Sequence, residues 1–296
     1  MIFKAIFLRD RYKGALQFAT MVTLAVVFLY PIFIVFTNSF MGLFEITARF
    51  THHVRPGNAI FVNGNFHFVR LTLIPDFVSL RQYGVLFFGH PRYLARYWNS
   101  IALALPIVLG QAVISAPAAY AFEMSRLRRK EIIYFIYIVV MLMPLQVALV
   151  PNFLMADRLG ILDSRLAIIL PGMVNPFGVF IMRQFLRGLP RDYVEAAQAD
   201  GAGHLKALCF IVAPLFKPAF AALMMLSFVE NWNLVEQPRI FLQAVQEPLS
   251  VYLAQMATAN LDMIFAASLF YLLPTVLVFL YGQEHMVEGI QLSGIK

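Results

Sequence analysis

The sequence predicts an all-α, polytopic membrane protein with six transmembrane helices and one long loop after the first of them. Three observations carry this expectation. Of 296 residues, 60% are hydrophobic and 13% charged, with a mean hydropathy of +0.73, whereas a soluble domain is about half apolar and about a quarter charged. The apolar residues fall in runs of roughly 20, the length at which a helix crosses hydrocarbon with its backbone groups paired. The charges gather at the ends of those runs. The net charge of +7 is therefore read as a topology signal in contact with a lipid bilayer, and no nucleic-acid surface is expected.

Met1–Gly14 carries Lys4, Arg9, Arg11 and Lys13 ahead of the apolar run Ala15–Phe36. The run is too long for a signal peptide and no small-x-small cleavage site follows, so it reads as the first span. Residues 37–98 are the long polar region. Within it, Asn63-Gly64 separates Ala59–Val62 from the alternating Asn65–Arg70, a hairpin signal. His52-His53 lack a Cys, Asp or Glu at ligand spacing and read as solvated loop residues. The lone Cys209 excludes an intrachain disulfide and a cysteine metal cluster.

Residues 99–282 hold five further spans: Asn99–Phe122, Ile132–Met155, Leu166–Met182, roughly Pro214–Val229, and Met263–Gly282. The basic turn Glu123–Glu131 joins the second and third spans, and 283–296 form a polar tail. All six spans contain proline, which frees a backbone carbonyl and needs a neighbour or a cavity to satisfy it. Two readings fit: helices that move or line a pathway, or the ordinary enrichment of proline in membrane helices.

Lysine and arginine set the orientation. Fourteen lie in the N-terminal tail, 123–131, 183–217 and the C-terminal tail, against nine on the opposite side, or three when the long first loop is set aside. Both termini and the segment 183–217 are thus expected in the cytoplasm.

What the spans lack argues against several function classes. Ion-coupled carriers and voltage sensors carry intramembrane carboxylates, histidines or arginines, and the apolar runs are almost free of them. The alternative of a stand-alone channel or ion-coupled carrier is weakened accordingly. The dipeptide Gly-Lys is absent, so this chain has no phosphate-cradling loop of its own. No catalytic residue set, metal site or bound cofactor is predicted.

The remaining feature is Tyr193–His204, small and acidic, between two apolar runs. Pro190 suits a first helical turn and Asp192 and Glu195 suit the positive end of a helix. Ala196 and Ala197 favour helix, and Gly201 and Gly203 end it. His204–Val212 then reads as a second short helix running to Pro214. The product is a helix–turn–helix at 187–213, its alanines allowing close approach by a partner.

The spacing Glu195-Ala196-Ala197, Gly201, Ile211, Pro214 resembles the "EAA" loop of permease subunits of binding-protein-dependent ABC importers, with Ala213 where leucine is usual. Pro176–Phe180, Arg183-Gln184-Phe185 and Leu189-Pro190 before the loop look like the maltose-type carbohydrate branch. So do Ser227-Phe228, Trp232-Asn233, Pro238 and the tail from Gly289. The resemblance covers about 99–296. It implies the type I importer permease fold, an inner-membrane location in a bacterium, and transport of a carbohydrate (an oligosaccharide or related polyol) delivered by an extracytoplasmic solute-binding protein. It further implies a second permease subunit and an ATPase dimer that uses ATP-Mg, on which Glu195, Ala196, Ala197, Asp200, Gly201, Gly203, Ile211 and Pro214 would form the coupling loop. Asn231, Trp232 and Asn233 are candidate substrate contacts, since an aromatic face flanked by amides suits a sugar ring. An interfacial tryptophan anchor fits the same residues. The acidic residue and second tryptophan usual after this Trp-Asn are replaced by Leu234 and Gln237.

Overall fold

The computed structural model describes residues 2–42, 44–46, 61–62, 65–66, 74–89, 91–125, 127–259 and 261–294. They fall into two compact units, 1–91 with 255–270, and 92–254 with 271–296.

The first unit begins with α1 (Ile2–Asn38), whose stretch Gln17–Asn38 is long and apolar enough to cross a membrane. The chain leaving α1 is tied down by polar contacts. Met41 bridges Val78, the Gln82 side-chain amide donates to the Met41 carbonyl, and the Tyr83 hydroxyl donates to Ser39 Oγ at 2.7 Å. The buried Glu45 carboxylate accepts the backbone N–H groups of Asp76 and Phe77 at 3.0 and 3.4 Å. Short strands β1 (Phe61–Val62) and β2 (Asn65–Phe66) pair antiparallel with Val62 opposite Asn65, the register of a two-residue connection. That agrees with the expected hairpin. Its turn, Asn63-Gly64, lies outside the described residues, as do His52-His53 and Arg55–Asn58. A short helix α2 (Arg81–Gly84) continues into a π-turn, Val85–Gly89, where Phe87 meets the edge of Phe270.

The second unit is helical among its described residues. α3 (Pro91–Met124) begins eight residues ahead of the expected second span, with proline at its first position. In place of one continuous third helix there are two: α4 (Lys130–Met141) and α5 (Leu145–Arg158) meet at 96° across Leu142–Pro144. Pro144 holds φ −58° and ψ 140°, a conformation that cannot continue a helix. α6 (Leu166–Met173) and α7 (Pro176–Leu186) form the fourth, interrupted at Val174-Asn175. The helix–turn–helix holds α8 (Asp192–Ala199) and α9 (His204–Ala207), and after it come α10 (Lys217–Trp232), α11 (Glu236–Phe241), α12 (Leu249–Ala259) and α13 (Leu261–Gly294). Among the described residues four helices are long and apolar enough to span, and six segments are when each bent pair counts as one.

The break in the fourth span shows how the unit holds together. Pro176 has no N–H, so the carbonyl of Gly172, four residues earlier, loses its helical partner. Gln111 of α3 supplies one: its Nε2 donates to Gly172 O at 2.8 Å, and Gln111 is 1% exposed. Asn175 Oδ1 accepts the Phe177 N–H at 2.9 Å and caps the restarted helix α7. Small residues let the two helices approach this closely. A Cβ on Gly172 would press on Ile107, and one on Gly178 would collide with Ser115.

Apolar cores lie at both ends of the unit. One gathers Leu103, Ile107, Ala167, Ile168, Phe241 and Leu242. There the loop after α11 is pinned by Asn99, whose Nδ2 donates to the carbonyls of Val245 and Glu247 at 2.9 and 3.1 Å, while Arg165 donates to its Oδ1 at 2.7 Å. The other core packs the helix–turn–helix.

Gln111→Leu keeps the side-chain bulk but strands the Gly172 carbonyl. It is expected to lower stability by about 1 kcal/mol, the scale of a hydrogen bond between membrane helices, measured as a shift in the unfolding midpoint in detergent.

Candidate functional site

The helix–turn–helix is built from α8 (Asp192–Ala199), a glycine turn and α9 (His204–Ala207), which runs through a π-turn at Leu208–Val212 into Ala213–Leu215. Asp192 and Glu195 sit in the first turn of α8, where the dipole favours them. Pro190 lies one residue outside the cap, Arg191, and not in the first turn as the sequence suggested.

The end of α8 is a Schellman motif. Ala202 N–H reaches back to Ala197 O at 2.9 Å, Gly201 N–H bonds Gln198 O at 3.0 Å, and Gly201 holds φ +83°. Gly203 does a different job from the one expected. With φ −71° and ψ 164° it is the extended residue that starts α9. The Ala213–Leu215 segment then meets α10 at an 80° bend around Phe216, so Pro214 sits just ahead of the corner.

One face of this element is buried and the other open. Val194, Ala197, Ala207, Leu208, Val212 and Phe216 pack with Ala119, Tyr120, Met182, Leu186, Ala219 and Leu223 in one continuous core. Each of these twelve side chains removes apolar surface from contact with the surroundings, and together they lock the loop to α3, α7 and α10. Tyr193, Glu195, Ala196, Ala199, Asp200, Leu205 and Phe210 are exposed. An open groove of ≈ 480 Å³ runs past Pro190, Asp192, Tyr193, Ala196, Ala197, Asp200 and Ile211. A second cavity, of ≈ 490 Å³, lies on the other flank against Met124, Arg191, Glu195, Gln198 and His204. His204 Nδ1 lies 3.3 Å from the Tyr120 hydroxyl and 3.1 Å from Gln198 Nε2, joining the two short helices to α3. Thus the structure gathers Glu195, Ala196, Ala197, Asp200, Gly201 and Ile211 on one compact element, with Ala197 facing inward.

Beneath the loop lies a charge cluster that sequence reasoning missed. Arg183 of α7 is 1% exposed. Its Nε bonds Glu123 Oε2 at 3.2 Å and its Nη2 bonds Glu131 Oε1 at 2.5 Å. The guanidinium also lies 3.9 Å from the centre of the Tyr134 ring, a cation–π contact. Glu123 sits at the C-terminal end of α3, where helical carbonyls have no intrahelical partner. Its carbonyl accepts from Lys130 Nζ at 2.8 Å and Arg191 Nη2 at 3.2 Å, cations where the dipole favours them. The available signal was that Glu123 and Glu131 bracket a basic turn.

Asn231, Trp232 and Asn233 fall together at the far end of α10, but not as an open sugar platform. Trp232 is 1% exposed, stacks on Phe228 and Tyr271, meets Tyr97 edge-on, and donates Nε1–H to Tyr271 O at 3.2 Å. Asn231 Nδ2 donates back to Ser227 O at 2.7 Å. The exposed Asn233 accepts the Tyr271 hydroxyl at 2.8 Å. In this conformation Trp232 is the centre of an aromatic cluster. Tyr97 and Tyr271, its partners from distant segments, carry no sequence signal.

The family described as "Binding-protein-dependent transport system inner membrane component" matches residues 111–288. The arabinooligosaccharides transport system permease protein AraQ of Bacillus subtilis (strain 168) is 30% identical over 87% of this chain and 92% of its own length. The lactose transport system permease protein LacG of Rhizobium radiobacter is 29% identical over 68% of this chain and 74% of its own. The sn-glycerol-3-phosphate transport system permease protein UgpE of Shigella flexneri serotype 5b (strain 8401) is 29% identical over 74% and 82%. Among solved structures, a chain of a bacterial ABC transporter involved in the import of the acidic polysaccharide alginate superposes with TM-score 0.76, 24% identity, and 94% and 97% coverage. That likeness establishes a shared fold.

The two loop glycines separate by their dihedral angles. Gly201→Ala forces a side chain into the left-handed region and is expected to cost about 1 kcal/mol, while Gly203→Ala costs a small fraction of that. Limited proteolysis between α8 and α9 would register the difference.

Proposed function

Since the chain belongs to the family of binding-protein-dependent transport system inner membrane components, we propose that it is one of two permease subunits of an ATP-driven importer and that 187–213 docks on the ATPase. The observation that carries this reading is the capped helix–turn–helix. It is rigid by its Schellman turn and buried face, and it offers Tyr193, Glu195, Ala196 and Asp200 beside an open groove. In this reading six spans cross a bacterial inner membrane with both termini and the loop in the cytoplasm, as the lysine and arginine distribution favours. ATP-Mg is consumed by a dimer of separate ATPase subunits. A solute-binding protein delivers the solute from the other side, where 37–98 lie.

The solute is a carbohydrate or related polyol, the reading favoured by relatives named for arabinooligosaccharides, lactose and sn-glycerol-3-phosphate. Asn231 and Asn233 remain the candidates for contact with it. The role assigned to Trp232 and Tyr271 is to hold the Asn233 amide in place, while Ser227 holds that of Asn231. Docking does not need a covalent step. It needs a loop whose contacts with the ATPase differ between two global states of the transporter.

Glu195→Lys combined with Gly201→Asp, in the chain reconstituted with its partner permease, ATPase and binding protein, is expected to abolish ATPase association and ATP-driven solute uptake. Intact uptake and association in that variant would refute the docking role. Cys209, the sole cysteine and exposed beside Phe210, offers a second check. Its maleimide labelling is expected to slow when the ATPase is bound and to be unaffected by the ATPase in the Glu195→Lys, Gly201→Asp variant.

A further inference from the structure

Arg183 is an improbable residue to find 1% exposed in a chain that is only 13% charged. Its surroundings explain the burial. It receives one carboxylate from the end of α3 and another from the start of α4, so three span ends converge on one cation. A buried ion pair is weak evidence of stabilisation, because desolvation offsets the attraction. Its best-attested use is to specify one arrangement over others.

The carboxylate of Glu123 is divided. Its Oε2 takes Arg183 Nε at 3.2 Å, while its Oε1 faces Arg191 Nη2 at 3.8 Å. Arg183 is buried and fixed in α7; Arg191 is 55% exposed and caps α8. One side of the carboxylate is therefore tied to the span bundle and the other to the loop. Withdrawing Arg191 leaves Glu123 paired with Arg183, so this link can open without stranding a buried charge. Arg191 also donates to the Glu123 carbonyl at 3.2 Å, adding a contact to the C-terminus of α3 that breaks in the same movement.

We propose that Glu123 is a positioning residue, shared between Arg183 and Arg191, through which movement of the docking loop is passed to the ends of α3 and α4. This rests on the docking reading above. Glu123 touches neither solute nor nucleotide in this scheme. It acts by registering whether Arg191 is near, which changes the charge balance around the three converging ends. Glu131, bound to the other side of Arg183 and 61% exposed, keeps Arg183 seated when the loop moves.

The experiment uses the whole transporter in lipid nanodiscs and reads ATP hydrolysis with and without the binding protein. Arg191→Ala, on an exposed side chain, is expected to leave the unfolding midpoint unchanged, and ATPase association is measured for every variant so that a loss of docking is scored apart from a loss of coupling. Stimulation by the binding protein should fall roughly 10-fold, within the range of ordinary coupling free energies, and Arg191→Lys should restore most of it. Glu123→Gln, which leaves Arg183 paired with Glu131, is expected to give a similar loss. The double variant should then be no worse than either single one, the mark of two residues acting through one contact. Additive losses, or wild-type stimulation in both single variants, would overturn the inference. If Glu195→Lys with Gly201→Asp abolishes ATPase association while these variants behave as wild type, the positioning role fails and docking stands. If the loop variant itself leaves association and uptake intact, docking fails and the positioning role falls with it.

Discussion

A carbonyl that loses its helical partner inside hydrocarbon has no water to turn to, and the second unit is arranged around meeting that constraint. Pro176 creates such a carbonyl at Gly172, and Gln111 meets it from α3. The bond needs the two backbones close together, which is why a Cβ on Gly178 would collide with Ser115 and one on Gly172 would press on Ile107. The crossing of α3 with the fourth span then fixes the two ends of the unit relative to each other. One end carries the Asn99-pinned loop and the other carries the helix–turn–helix.

At the loop end, apolar packing and charge pairing do separate work. Val194, Ala197, Leu208 and Phe216 anchor the element without regard to direction, because hydrophobic burial is not directional. Arg183 and its carboxylates add direction, since a guanidinium binds two carboxylates only in a defined fork. The loop is consequently held as a rigid piece while its exposed link, Arg191 to Glu123, is weak enough to exchange. The π-turn at Leu208–Val212 and the 80° corner at Phe216 lie where such a piece would pivot on α10.

The opposite end is organised by aromatic stacking and backbone hydrogen bonds. Trp232 sits between residues of α3, α10 and α13 and spends its one donor on Tyr271 O. Tyr271 in turn donates to Trp232 O and Asn233 Oδ1. A tryptophan so enclosed ties three helices together and holds the Asn233 amide, proposed above as a solute contact, in one orientation.

Much of this protein is local and was therefore legible in its residues. Run length and charge placement located the apolar helices, because hydrocarbon thickness and the distribution of lysine and arginine act on short stretches. The α8 helix, its glycine stop and the restart at His204 followed from propensity and capping, which depend on neighbours within about five residues. The proline breaks could be placed but not resolved. That Pro144 turns its span by 96° while Pro176 makes a bridged interruption depends on whether another helix offers a donor, and Gln111 lies 61 residues away from Gly172. The same holds for Arg183, whose carboxylates are 60 and 52 residues distant, and for Trp232 with Tyr271, 39 apart. Single-residue chemistry determined what each of these groups required, and only the packing of helices decided which partner would meet it.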